Sequence, residues 1–275
     1  MKIALVQQHA TENKKDNLER GLAALVEAAF RGAKLVCYGE LAFEPFYPQT
    51  LPDGDIRELA EPIPGPVTEI FMSKARELGV VVVLNLFELD DDKAYDCSPI
   101  IDADGSLLGK TRMAHICEYE GFHEQHYYVK GDLGAPVFDT AVGRIGIAIC
   151  YDRHYPEYMR ALKQNGAELV VVPQAGAVGE WPEGLYEAEM RVAAFQNGYF
   201  TALCNRVGKE PAITFSGESF VCDPKGRVIA KAETGIDEIL YCNIDFDQIS
   251  RSPAELNFLP DRRSEDSTGW FFSVN

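Results

Sequence analysis

Cys150 ends the apolar run Ile145-Gly146-Ile147-Ala148-Ile149 and is followed at once by Tyr151-Asp152-Arg153-His154-Tyr155-Pro156-Glu157. A thiol at that junction sits where a buried strand turns into a charged loop. Apolar strand surroundings raise a thiol pKa, whereas a strand-to-helix elbow offers backbone N–H groups and nearby charge that favour the nucleophilic thiolate. The competing reading is a packing cysteine of the kind common in cores. Attack by such a thiol on a carbonyl needs a base, donors for the oxyanion and a proton for the departing group. An acid is placed to take part: Glu40 follows Leu35-Val36-Cys37-Tyr38 near the end of a strand-like run. Two other chemistries find no support. There is no G-x-S-x-G elbow for a serine nucleophile, and His123-Glu124-Gln125-His126 is not H-E-x-x-H and has no further ligand cluster, so no metal or cofactor is expected.

The elements that must position these residues follow from hydrophobic period. Lys2 to Val6 reads as a first strand. An amphipathic helix over Lys14 to Phe30 carries Leu18, Leu22, Leu25, Val26 and Ala29 on one face and stops at Gly32. Leu35 to Tyr38 is strand two, and Val67 to Leu78 is a helix ending at Gly79. Val80 to Phe87 reads as one continuous strand buried on both faces. Tyr95 to Asp102 and Leu107 to Arg112 form a hairpin across Asp104-Gly105. After Cys150 come a helix over Glu157 to Asn165, a strand Leu169 to Pro173, a helix Glu187 to Asn197 and a strand Phe200 to Asn205. Strands near Ser219 to Cys222 and Glu238 to Ile244 flank the turn Asp223-Pro224-Lys225-Gly226. This alternation predicts an α/β layer structure in one domain spanning 1–275, with no linker or repeat.

Composition bounds the rest. The chain has 275 residues, 46% hydrophobic and 25% charged, enough for one large core. With 26 basic against 43 acidic residues the net charge is −17, which disfavours nucleic acid and anionic membrane as partners. No apolar run approaches the roughly 20 residues of a membrane span, and the first residues turn polar too soon for a signal peptide. Seven scattered cysteines with no C-x-x-C pair argue against disulfides and for a reducing, cytoplasmic setting.

Three blocks together make the chain resemble the nitrilase superfamily of carbon–nitrogen hydrolases along nearly its full length. Gly39-Glu40-Leu41-Ala42-Phe43 is similar to that family's glutamate block, Gly109-Lys110-Thr111-Arg112-Met113-Ala114-His115-Ile116 to its lysine block, and Ile149-Cys150-Tyr151-Asp152-Arg153-His154-Tyr155-Pro156-Glu157 to its cysteine block. Glu124 matches a second glutamate found in many members. Asn205-Arg206-Val207-Gly208 and Asp261-Arg262-Arg263 resemble the branch acting on N-carbamoyl amides, which includes β-ureidopropionase. The resemblance implies a four-layer αββα sandwich of two mixed sheets, paired into homodimers or larger assemblies through a helix layer, with about residues 250–275 at the interface. It implies hydrolysis of a small amide or N-carbamoyl compound through a cysteine thioester. Glu40 would take the thiol proton and later activate water, the Tyr151 N–H would hold the oxyanion, and Glu124 would orient substrate or tune its neighbours.

One position departs from the family. The catalytic lysine of relatives directly follows the arginine of its block; here that residue is Met113, 37 positions before Cys150. Methionine copies the length of lysine without its ammonium. Three readings stand: an inactive member that binds or senses a small amide or carboxylate, a hydrolase with another cation, or a slower hydrolase on backbone donors alone. Lys110 lies on the opposite strand face from Met113, which leaves Lys130 as the alternative lysine. Arg153 is placed where N-carbamoyl-amide relatives bind a substrate carboxylate, a role that suits a planar guanidinium, or else it pairs with Asp152 or Glu157. His115 and His126 are further candidates for the pocket lining. Trp181-Pro182, in the loop from Gln174 to Gly184, is placed to cap it.

Overall fold

A computed structural model describes residues 1–263. In chain order the strands are β1 (Lys2–Gln7), β2 (Leu35–Tyr38), β3 (Val81–Val83), β4 (Leu86–Asp90), β5 (Lys93–Ile101), β6 (Leu107–Arg112), β7 (Val137–Thr140), β8 (Gly143–Ile147), β9 (Leu169–Gln174), β10 (Phe200–Asn205), β11 (Val207–Lys209), β12 (Thr214–Ser216), β13 (Phe220–Cys222), β14 (Val228–Lys231) and β15 (Glu238–Asn243). The α-helices are α1 (Lys14–Phe30), α2 (Pro66–Leu78), α3 (Pro156–Gln164) and α4 (Leu185–Asn197). One sheet runs β15-β1-β2-β3-β5-β4 with β6 added on β5, the other β14-β13-β10-β9-β8-β7, and β11 and β12 form a separate pair.

Both large sheets are mixed. Parallel β1, β2 and β3 are joined through α1 and α2, and parallel β8, β9 and β10 through α3 and α4. Crossovers of this kind cover a parallel sheet with helices, so its strands are buried on both faces and read as unbroken apolar runs. Period-two alternation then assigns each side chain to a layer. Ile3, Leu5, Leu35, Cys37, Ile145, Ile147, Leu169, Val171, Phe200 and Cys204 fill the space between the sheets. Ala4, Val6, Val36 and Val82 turn the other way onto Leu25 and Ala28 of α1 and Phe71 and Ala75 of α2. On the far side Ala148, Val170, Val172 and Leu203 meet Met159 and Leu162 of α3 and Met190 and Ala194 of α4. The result is the expected αββα sandwich.

Two readings of the sequence change. The run from Val80 to Phe87 is two strands, not one, because Leu84 and Asn85 break it between β3 and β4, and the buried Asn85 side chain turns inward to hydrogen bonds with Asp96 and Ser98. The turn at Asp223 to Gly226 leads into β14, which pairs with β13, before the chain reaches β15.

Candidate active site

Two strained turns at adjacent strand ends create the site. Leu41, just after Glu40, has φ 45°, and Cys150 itself has φ 38°, both in the left-handed region that side chains with a Cβ rarely adopt. Each is locked by its surroundings, as a functional strain requires. The Glu40 N–H donates to the Gln174 carbonyl at 3.3 Å, which also accepts from the Arg206 N–H at 3.1 Å, so a single carbonyl of β9 ties the turn to the facing sheet. Buried Arg206 clasps the same turn from below. Its Nη1 donates to the Glu40 carbonyl at 2.8 Å and to that of Leu41, and its Nη2 to the Glu44 carbonyl at 2.9 Å and to Glu210. Gly39 eases the approach here: a Cβ would stand 3.1 Å from the Arg206 nitrogen and 3.2 Å from the Asn205 carbonyl carbon, so the facing backbone would have to give way.

Cys150 opens a short 3-10 turn, Cys150–His154, rather than a regular helix. It is 7% exposed, while Glu40 and Glu124 are fully buried. The buried Glu40 carboxyl and Cys150 thiol act on each other electrostatically and Glu124 acts on both, so the three predicted residues share one cluster, though neither Glu40 oxygen has a hydrogen-bond partner among the described residues. Glu124 arrives on the turn Glu124–His126 and accepts the Cys117 N–H at 3.3 Å; its other oxygen has no donor among the described residues. Burial, with Asp96 nearby, pushes the Glu124 carboxyl up to about 8. Burial, reinforced by Glu124, raises Glu40 as well. The thiol is also raised, by burial and then by Glu40, against the pull of Arg153. The elbow therefore presents a neutral thiol beside a base instead of the standing thiolate that its sequence context suggested.

Met113 occupies the lysine position within the same apolar cluster as Cys150. Neither lysine compensates. Lys110 pairs with Glu88, and Lys130 is exposed. The nearby cation is Arg153, buried, with Nη1 2.7 Å from the Cys150 carbonyl oxygen and 3.8 Å from its sulfur. Its guanidinium lies over the Tyr186 ring at 4.6 Å, and Nε stands 3.3 Å from Glu189 rather than on Asp152 or Glu157.

The other candidates are placed as follows. His115 stacks on Tyr155 at 3.5 Å, and its Nδ1 is 2.7 Å from Asp152, which also accepts the Ala114 and His115 N–H groups, so it braces the cysteine turn. His126 is exposed, 3.9 Å from Glu118, and is not brought to the thiol. The Tyr151 ring joins an aromatic roof in which Trp181 packs on Tyr119 at 5.8 Å and on His154 at 5.4 Å. Three groups were not singled out from the sequence. Glu180 accepts from Tyr119 Oη at 2.6 Å and from Tyr186 beneath that roof. Gln174 has both ends of its side-chain amide buried and unpartnered among the described residues. Asp96 is a third buried carboxyl against Glu40. Its signal was available: a carboxylate inside the strand run Tyr95-Asp96-Cys97-Ser98 has no ordinary reason to be there.

A thiol on a strained elbow, a base against it and a buried second carboxyl, set between two packed sheets, define a cysteine-dependent hydrolase of acyl bonds. The chain belongs to the carbon–nitrogen hydrolase family, whose model matches residues 2–254. It is 30% identical over 277 residues to the citrullinase of Francisella tularensis, covering 96% of each chain. It is 32% identical to the N-carbamoylputrescine amidase of Solanum lycopersicum, covering 96% of this chain and 92% of that one. Among solved structures, the carbon–nitrogen hydrolase of Helicobacter pylori G27 superposes with a TM-score of 0.92 at 28% identity, covering 100% of this chain and 99% of the other. The chain is thus an enzyme that hydrolyses carbon–nitrogen bonds with a cysteine nucleophile. Among the described residues no group of His, Cys, Asp and Glu is arranged to hold a metal ion, and no helix is long and apolar enough to cross a membrane.

Proposed function

We propose that this chain cleaves the amide or N-carbamoyl group of a small carboxylate-bearing substrate, with Cys150 as nucleophile, Glu40 as base and Arg153 as the cation that Met113 does not supply. The observation that carries this reading is the Arg153 guanidinium 3.8 Å from the sulfur, with the buried Glu40 carboxyl and the thiol acting on each other electrostatically. Substrate carbonyl carbon enters against the sulfur; Glu40 accepts the thiol proton as the C–S bond forms, and the oxyanion is met by the Tyr151 N–H. The proton passes from Glu40 to the leaving nitrogen, ammonia or an amine departs, and Glu40 then activates the water that cleaves the thioester. Arg153 offsets negative charge on sulfur through both steps, and its planar fork is also the group suited to a substrate carboxylate. Glu124 orients the substrate from the other side. The name of one relative, an N-carbamoyl amide hydrolase, supports the ureido class.

A second reading concerns the far end of the substrate. Glu180, held between Tyr119 and Tyr186 under the roof, favours an ammonium there instead of a carboxylate. Ammonia release from paired N-carbamoyl amino acids and N-carbamoyl diamines, with Cys150→Ala as control, tests both. The proposal predicts turnover of the acids, abolished in the variant. Preference for the diamines transfers specificity to Glu180, and tight binding of either set without turnover or adduct would make the protein a binder.

The same reading takes 1–275 as one hydrolase domain in the cytoplasm that pairs with a second copy. Val192 and Phe195 of α4 and Leu256 and Phe258 beyond β15 are exposed, with Phe195 and Phe258 in ring contact at 5.2 Å, and they supply an apolar face for that pairing. Of the segment 250–275, residues 264–275 lie outside the described residues.

A further inference from the structure

Three carboxyl groups meet behind the thiol, and the mechanism above uses two. The third, Asp96, projects from β5 at the position paired with Phe87 of β4. Its Oδ1 accepts from Asn85 Nδ2 at 2.5 Å, and Asn85 Oδ1 in turn accepts the N–H of Leu41, the residue after Glu40, at 2.8 Å. Asn85 thus sets Asp96 and the Glu40 turn in one frame. Glu40 and Asp96 are within hydrogen-bonding reach of each other, yet both Glu40 oxygens and Asp96 Oδ2 are buried without an N–H or O–H donor from another described residue. Ionised carboxylates only accept, so two in contact would repel and leave every one of these lone pairs unpaired.

A single proton resolves the accounting, because it makes one group a donor to the other. We propose that Glu40 and Asp96 share one proton, and that Asp96 is the positioning residue which holds Glu40 as proton acceptor for Cys150 where no ammonium stands at position 113. The groups facing the pair agree with this. Asp152 brings further negative charge, and Glu124, raised to about 8, brings a neutral side chain near neutral pH, as do Cys97, Cys150 and Tyr128. The cation that reaches Glu40, Arg206, directs both Nη groups to backbone carbonyls and Glu210, and its buried Nε has no partner among the described residues, Glu40 included. Burial and then the Glu40 charge and hydrogen bond raise Asp96, whereas the Asp96 hydrogen bond pulls Glu40 down against burial and Glu124, the asymmetry expected when Asp96 carries the proton it donates to Glu40. During turnover the thiol proton adds to Glu40, leaving the pair neutral with two protons; release of one to the leaving nitrogen restores the shared state. Two carboxyls in contact titrate as a unit, so the proton belongs to the pair.

The catalytic half of this inference rests on the hydrolase reading, and the protonation half does not. Infrared difference spectra between the wild type and Asp96→Asn near neutral pH read protonation directly. The expected result is a carboxylic-acid carbonyl band, shifted in D2O, present in the wild type and missing from the variant. Glu40→Gln, whose amide can donate to an ionised Asp96, should remove the same band and serves if Asp96→Asn does not fold. A difference spectrum with carboxylate bands alone overturns the proposal. Where ammonia release is measurable, Asp96→Asn should stay within about tenfold of wild type but lose the alkaline limb of the pH profile, and Asp96→Ala should lose about 100-fold. Equal damage in both variants, or an unchanged alkaline limb in Asp96→Asn, contradicts the positioning role. Absence of ammonia release with the acid band intact would instead overturn the hydrolase reading of this site.

Discussion

The thiol of Cys150 is held neutral by burial and by Glu40, so nucleophilicity must be generated when substrate is present, and the cation that favours the thiolate is Arg153. Arg153→Met is expected to lower kcat/KM about 10²- to 10³-fold, the cost typical of removing one stabilising donor. It should also move the pH dependence of Cys150 alkylation toward higher pH; an unmoved alkylation profile would assign the cation elsewhere. Glu124 tests the electrostatics of burial separately from catalysis. Its carboxyl is raised from about 4.5 to about 8 in the folded protein, so between those values the native state holds a proton that the unfolded chain has released. The favourable contribution is complete below the unfolded value and is lost as pH rises toward 8, at up to about 1.4 kcal/mol per pH unit. Urea midpoints of the wild type should therefore fall more steeply across this window than those of Glu124→Gln; parallel curves would contradict the raised carboxyl. At this scale Cys150 and Glu40 were legible because each ends an apolar run. Asp96 was legible only as an out-of-place carboxylate in a strand, and its role with Asn85 was not, because a polar residue inside a strand reveals its partner only after the strands are paired.

The elements succeed or fail as supports for two turns. Most of them could be read from hydrophobic period: α1 is found over Lys14–Phe30 as expected, and the doubly buried runs became the parallel strands. What period could not show was the break at Leu84 and Asn85, since five valines and leucines around it look the same in one strand or two. Short β7, β11 and β12 were likewise unread, having too few residues to display an alternation. Loop closeness also has no sequence signature beyond glycine. A Cβ on Gly131 would stand 2.4 Å from the Arg112 carbonyl oxygen and 2.8 Å from that of Met113. Gly131→Ala must displace backbone on the Met113 side of the site, and we expect about 1–3 kcal/mol of destabilisation by urea titration. A stability equal to wild type would mean this loop does not press on the lysine-block strand. Arg206 supports the opposite turn from within the core, where its loss removes the counter-charge of buried Glu210 and leaves the carbonyls of residues 40, 41 and 44 without its donors. Arg206→Met should cost about 3–5 kcal/mol in the same measurement; a loss below 1 kcal/mol would remove it from the account.

At the scale of the molecule, two halves of similar βαβ build face each other, one delivering Glu40 and the other Cys150, and the resemblance of the whole chain to its family follows from that meeting. The net charge of −17 sets an acidic exterior, yet the proposed chemistry relies on one buried guanidinium, which composition could not show. The apolar face of α4 carries the proposed pairing: sedimentation equilibrium should show a dimer that Phe195→Glu shifts to monomer, and a monomeric wild type would refute it. The most direct test of the account is trapping on the sulfur itself. Enzyme turning over an N-carbamoyl substrate is quenched in acid within the first turnovers and its peptides are weighed. The acyl mass is expected on the Cys150 peptide, with ammonia release that disappears in Cys150→Ala. Undiminished release from that variant, or an adduct on another cysteine, would contradict it.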